Sequence, residues 1–166
     1  MKLDHKKVIK VGMAEWKQIE FPNTIRTSGL GSCVGVVVYD QWKKKAALAH
    51  IMLPDSTMAK YKQINRAKFA DTAIEDVVAV LQTKGCSIQN MKAKIAGGAQ
   101  MFSISSTNDI MRIGPRNAEA VKKILRKYRI PVAAEDIGGN KGRTIEFDPE
   151  LSTLHIRTVN QGEAVI

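Results

Sequence analysis

The feature that most constrains this chain is a pair of apolar runs, Val34 to Tyr39 and Ala46 to Leu53, around the polar break Asp40-Gln41-Trp42-Lys43-Lys44. β-Branched residues dominate the first run, which suits a buried strand. Two such runs around a short break read as a β-hairpin. With the turn centred near Trp42, antiparallel pairing sets Cys33 opposite roughly residue 51, to within a residue or two because the turn type is open. Opposed residues share a sheet face with Cβ atoms about 4.5–5.5 Å apart. Cys33 and His50 are therefore expected within reach of one another.

That pairing has chemical content. A free thiol has a pKa near 8.5, so it is mostly protonated at neutral pH. A neighbouring imidazole takes the proton and later returns it to a leaving amine. Gly35 lies on the same face as Cys33, and its missing side chain is expected to leave room for substrate. Gly29 and Gly31, in the lead-in Thr27-Ser28-Gly29-Leu30-Gly31-Ser32, allow a tight loop that aims backbone N–H groups at an oxyanion. Thr27 or Ser32 is placed to orient the imidazole as a third member. Each residue alone has a plainer reading. A cysteine at a strand start is usually packing, and a histidine closing a strand is usually a satisfied core group.

The chain has 166 residues, of which 44% are hydrophobic, enough for a real core in one domain spanning 1–166. No apolar run approaches the ~20 residues that cross a bilayer. The charged start Met1-Lys2-Leu3-Asp4-His5-Lys6-Lys7 leads into no apolar signal stretch. The expectation is a cytoplasmic protein, without membrane insertion and without a Cys33–Cys86 disulfide. A net charge of +10 favours acidic partners. The basic residues are dispersed, however, with no run beyond Lys43-Lys44-Lys45 and no aromatic platform, which argues for an acidic protein surface over nucleic acid.

A strand is expected over Val8–Met13, with Glu15–Phe21 either continuing it or forming a second, before the glycine loop and the hairpin. Pro54-Asp55-Ser56-Thr57 is a turn beside the same pocket. Apolar residues at three- and four-residue steps between Asn65 and Lys84 give a helix, stopped at Lys84-Gly85. Met91, Ala93 and Ile95 alternate as a strand that enters Gly97-Gly98, where unusual backbone is expected near the site. Met101 and Phe102 are either core anchors or an exposed docking patch. Residues 103–114 read as a mobile loop. A second helix starts near Pro115 or Asn117, with Lys122, Lys123, Arg126 and Lys127 late, as the helix dipole favours. A strand over Ile130–Glu135 and a hairpin of Arg143–Phe147 with Thr153–Val159 close the chain. His155 is expected to face solvent. Three scattered histidines and two cysteines show no metal-ligand spacing, and no cofactor is called for. The order of elements argues for α+β layers.

Three segments together resemble the CheD family of chemoreceptor glutamine deamidases: Thr27–Val36, Ala47–Ser56 and Lys94–Phe102. Ile113-Gly114-Pro115-Arg116-Asn117 and Glu135–Arg143 add to the match, which runs from about Val8 to Val159. The resemblance implies an α/β sandwich of mixed, largely antiparallel sheet with two main helices, related to deamidase toxins of the cytotoxic necrotizing factor type. It implies a Cys–His–Thr triad on Cys33, His50 and Thr27, with Gly31, Ser32, Gly35, Gly97 and Gly98 around the substrate. The implied substrates are glutamines on the cytoplasmic helical bundles of methyl-accepting chemotaxis receptors. A CheC-like phosphatase is the implied partner, with Met101 and Phe102 as candidate contacts, and a receptor methylesterase side activity goes with the family. The competing reading is a regulatory binding module in which Cys33 does no chemistry.

Overall fold

The computed structural model describes residues 5–101 and 112–166. Its ten strands form two five-stranded sheets. The central sheet has the order β2 (Trp16–Glu20), β5 (Lys45–Ile51), β4 (Val34–Asp40), β6 (Met91–Gly97), β7 (Val132–Ile137). The outer sheet has the order β1 (Val8–Val11), β3 (Thr24–Leu30), β8 (Arg143–Asp148), β9 (Thr153–Thr158), β10 (Gly162–Val165). Helices α1 (Ala70–Thr83) and α2 (Ile113–Lys127) cover the central sheet on the side away from the outer one. The α+β sandwich with two main helices is therefore as expected, in three layers.

The β4–β5 hairpin is the middle of this stack. Every residue of β4 is buried, which is why it reads as an unbroken apolar run instead of an alternating one. Val34, Val36 and Val38, with Ala47, Ala49 and Ile51, meet the helices through Ile74, Val77, Val121 and Leu125. On the opposite face, Val37 and Leu48 meet Ile145, Phe147 and Leu154 of the outer sheet.

Two elements differ from the sequence reading. The glycine-bearing lead-in to Cys33 is largely a strand, β3, because it pairs in parallel with β1 and antiparallel with β8. Its glycine falls where the β8 register shifts between Thr27 and Leu30, a bulge that turns the chain toward Cys33. The fully exposed β10 pairs with β9, and its composition carries no strand signal. Smaller shifts occur at ends: α1 begins at Ala70 after a short turn capped by Asn65, and α2 begins at Ile113. Most of the loop expected over 103–114 lies outside the described residues. Cys33 and Cys86 are free thiols.

Candidate active site

Hairpin register fixes the first relation. Gly35 stands opposite His50 and Val34 opposite Ile51, so continuing the register brings Cys33 level with Met52. Cys33 and His50 are thus diagonal neighbours, not directly opposed, and share the face that looks at the outer sheet. His50 is completely buried, while Cys33 keeps 7% exposure.

The third residue arrives from the other sheet. Thr27, buried on β3, places Oγ1 2.8 Å from His50 Nδ1 and donates its proton to the Val11 carbonyl at 2.8 Å. A hydroxyl has one proton. With that proton on Val11 O, the contact to His50 is satisfied only if Nδ1 carries a hydrogen and donates to Oγ1. The hydrogen-bond network therefore assigns the Nδ1–H tautomer and leaves the Nε2 lone pair bare. Nε2 is buried and has no partner among the described residues. Ser32, the other hydroxyl considered from sequence, makes no such contact.

Electrostatics fixes the resting charge. Burial lowers the His50 pKa, favouring neutral imidazole. Burial raises the Cys33 thiol, partly offset by a backbone N–H, that of Cys33 itself, lying against the sulfur. Both directions favour a neutral thiol and a neutral imidazole over an ion pair. The arrangement suits a base that takes the thiol proton as the sulfur attacks, with catalytic hydrogen bonds tightening once substrate binds.

The Gly97-Gly98 loop, where both glycines have positive φ as the expected unusual backbone requires, packs against Cys33 from β6. Gly98 N–H donates to Cys33 O at 2.9 Å and Ala99 N–H to Gly31 O at 2.8 Å. The Gly98 donor is thus occupied by the Cys33 carbonyl and is not free for an oxyanion. Gly97 has φ +113°, and a Cβ there would collide with Cys33 O, so only glycine fits. In a regular antiparallel ladder Cys33 would also donate its N–H to Gly98 O. That second bond is missing, and Cys33 N–H has no backbone acceptor among the described residues.

Gly35 also needs correction. A Cβ built there would lie 2.6 Å from Ile145 Cδ1 and 3.1 Å from Leu30 Cδ1. The space it leaves is filled by the facing sheet, so Gly35 serves sheet packing and not substrate room. Gly31 sits under Met101, whose Cγ and Sδ would be 3.3 Å from a Cβ at that glycine. Met101 is 45% exposed, which favours the surface alternative over the core one. Phe102 lies outside the described residues. His155 is exposed on the outer face of the outer sheet, where it borders a cavity of about 340 Å³ with Arg26 and Glu146, remote from Cys33. Among the described residues no group of three His, Cys, Asp or Glu side chains gathers as a metal site requires.

Sequence reasoning missed Asn117. It is wholly buried on α2 and donates from Nδ2 to Ser32 O at 3.0 Å and to Met52 O at 2.9 Å. Its position was a usable signal: residues 117, 121 and 125 form one helical stripe, and an asparagine interrupts an otherwise apolar face.

Comparison with known proteins adds a separate line. Residues 52–158 match the family model described as CheD chemotactic sensory transduction. The chain is 60% identical over 159 residues to the chemoreceptor glutamine deamidase CheD of Halalkalibacterium halodurans, covering 96% of this chain and 98% of that protein. It is 57% identical to the protein of the same name from Bacillus subtilis, covering 96% of each. Among solved structures it is similar to Bacillus licheniformis hypothetical protein YfiH, with TM-score 0.42 and 14% identity over 68% of this chain and 46% of that one. No helix of the described residues is long and apolar enough to cross a membrane.

Proposed function

Because the chain belongs to the CheD family, we propose that it is a protein-glutamine deamidase acting on chemoreceptors, with Cys33 as nucleophile, His50 as acid–base and Thr27 as orienting group. The observation that carries this reading is the Val11–Thr27–His50 chain, which leaves Nε2 unprotonated on the sheet face shared with Cys33.

The chemistry balances without a redox step. As Sγ bonds to the glutamine carboxamide carbon, the thiol proton passes to Nε2. The carbonyl oxygen becomes an oxyanion and is met by Cys33 N–H, a type of contact worth about 3–4 kcal/mol in the transition state. Collapse breaks the C–N bond, and Nε2–H protonates the departing nitrogen to give ammonia. Water then attacks the thioester carbon and gives its proton to Nε2. The C–S bond breaks, the sulfur regains a proton from His50, and glutamate remains. Throughout, Nδ1–H stays on Thr27, so the imidazole cycles through its charged form without turning.

The rest of the reading follows the family. Residues 1–166 act as one deamidase domain in the cytoplasm, where receptor helical bundles are reached. A CheC-like phosphatase binds at the site mouth, and the exposed Met101 over Gly31 supports a surface there shared by partner and receptor.

The test is mass spectrometry of receptor cytoplasmic fragments incubated with wild-type and Cys33→Ala protein. Specific glutamines are expected to gain the mass difference of amide-to-acid conversion with wild type only. Equal conversion by Cys33→Ala would remove Cys33 from the reaction. Absence of conversion by wild type, with a phosphatase partner still bound, would leave the regulatory reading in its place.

A further inference from the structure

We propose that Asn117 is a positioning residue that aims and polarises the oxyanion donor of the Ser32–Cys33 peptide. The inference rests on the deamidase reading and adds a residue to it.

Asn117 is wholly buried on the apolar face of α2, and its Oδ1 has no partner among the described residues. An unmet buried amide oxygen costs stability that an aliphatic residue would not. The value of the position therefore lies in the NH₂ group. Its orientation is unambiguous, because two carbonyl oxygens can be met only by the nitrogen end.

Each of those carbonyls matters to the site. Met52 O belongs to the chain two residues past His50, and Ser32 O belongs to the peptide unit whose N–H is that of Cys33. A peptide is planar and trans, so a bond that fixes its C=O fixes the opposite direction of its N–H. The same bond draws electron density to the carbonyl and makes the N–H a stronger donor. That N–H is the one that the β6 ladder leaves without a backbone acceptor, because the chain turns away at Gly97 and Gly98. One amide therefore holds the donor peptide from behind and ties it to the strand that carries the base.

The experiment compares wild type, Asn117→Ala and Asn117→Ser on a receptor fragment, with three readouts. For Asn117→Ala, kcat is expected to fall on the order of 10- to 100-fold with KM unchanged, as for loss of a contact made only in the transition state. Alkylation of Cys33 by iodoacetamide, which forms no oxyanion, should stay within about twofold of wild type. The Cys33 amide proton should move upfield by NMR. Asn117→Ser, which retains a single donor, should be intermediate in kcat and serves as the comparison if the alanine variant does not fold. The proposal is overturned if kcat holds within about twofold, if kcat and alkylation fall together, if the Cys33 amide does not move, or if neither variant folds. An inactive wild-type protein would instead overturn the deamidase reading, and the amide shift would still decide whether Asn117 holds the peptide.

Discussion

Thr27 has one proton to give, and its direction decides what His50 can do. Directed at Val11 O, it forces Nδ1 to donate and leaves the lone pair on Nε2. Thr27→Val removes that constraint and takes from Nδ1 and Val11 O the hydroxyl that both contact. Deamidation by Thr27→Val is expected to slow roughly 10- to 100-fold, within the range of a misoriented general base. Loss of the buried hydroxyl's hydrogen bonds should also cost about 1–3 kcal/mol, read as a lower urea midpoint. Thr27→Ser preserves the hydroxyl and should keep most of the rate. A valine variant as fast as wild type would show that the imidazole needs no such anchor. Local spacing left Thr27 and Ser32 both eligible, and only the family resemblance singled out Thr27, because their difference is set by the pairing of β3 with β1 and β8 and not by neighbours in the chain.

At the scale of elements, the site depends on how closely two sheets approach over the β4–β5 hairpin. Gly35 sits at the contact, directly opposite His50, with Ile145 Cδ1 in the place where its side chain would be. Gly35→Ala must push that methyl or the sheet aside, for an expected loss of about 1–3 kcal/mol measured by thermal melting. Adding Ile145→Val removes the obstructing methyl, so the double variant should recover part of the loss and show coupling in a double-mutant cycle. Strict additivity would mean that the two residues do not meet. The hairpin itself was legible in the sequence, since β-branched runs around a polar break have few alternatives. Its exact register was not, because the turn type was open: Cys33 falls level with Met52, one residue from the expected position near 51 and diagonal to His50.

For the whole molecule, burying the His50 imidazole and the Cys33 thiol links folding to pH. The His50 pKa is lowered from 6.5 in the fold, so below about that pH the unfolded chain takes up a proton that the folded protein resists. Stability is therefore lost as pH falls through that range. Cys33 has the opposite displacement: its pKa is raised from 9.0, so stability is lost on the alkaline side, where the unfolded chain ionises first. Urea midpoints should drop between about pH 7.5 and pH 5.5, and the drop should be smaller in His50→Gln. An identical drop in that variant would place the acid sensitivity elsewhere. The sequence by itself determined the hairpin that carries His50 and follows Cys33, the two amphipathic helices and the α+β class, because local periodicity and turn chemistry encode them. Only the tertiary structure decided that Gly35 packs a sheet, that Gly98 holds Cys33 O and that Asn117 reaches Ser32, and only it sets Thr27, which the resemblance implied, against the imidazole. Those relations join strands and a helix far apart in the chain, and their geometry follows from which layers stack and in what register, which no window of local sequence contains.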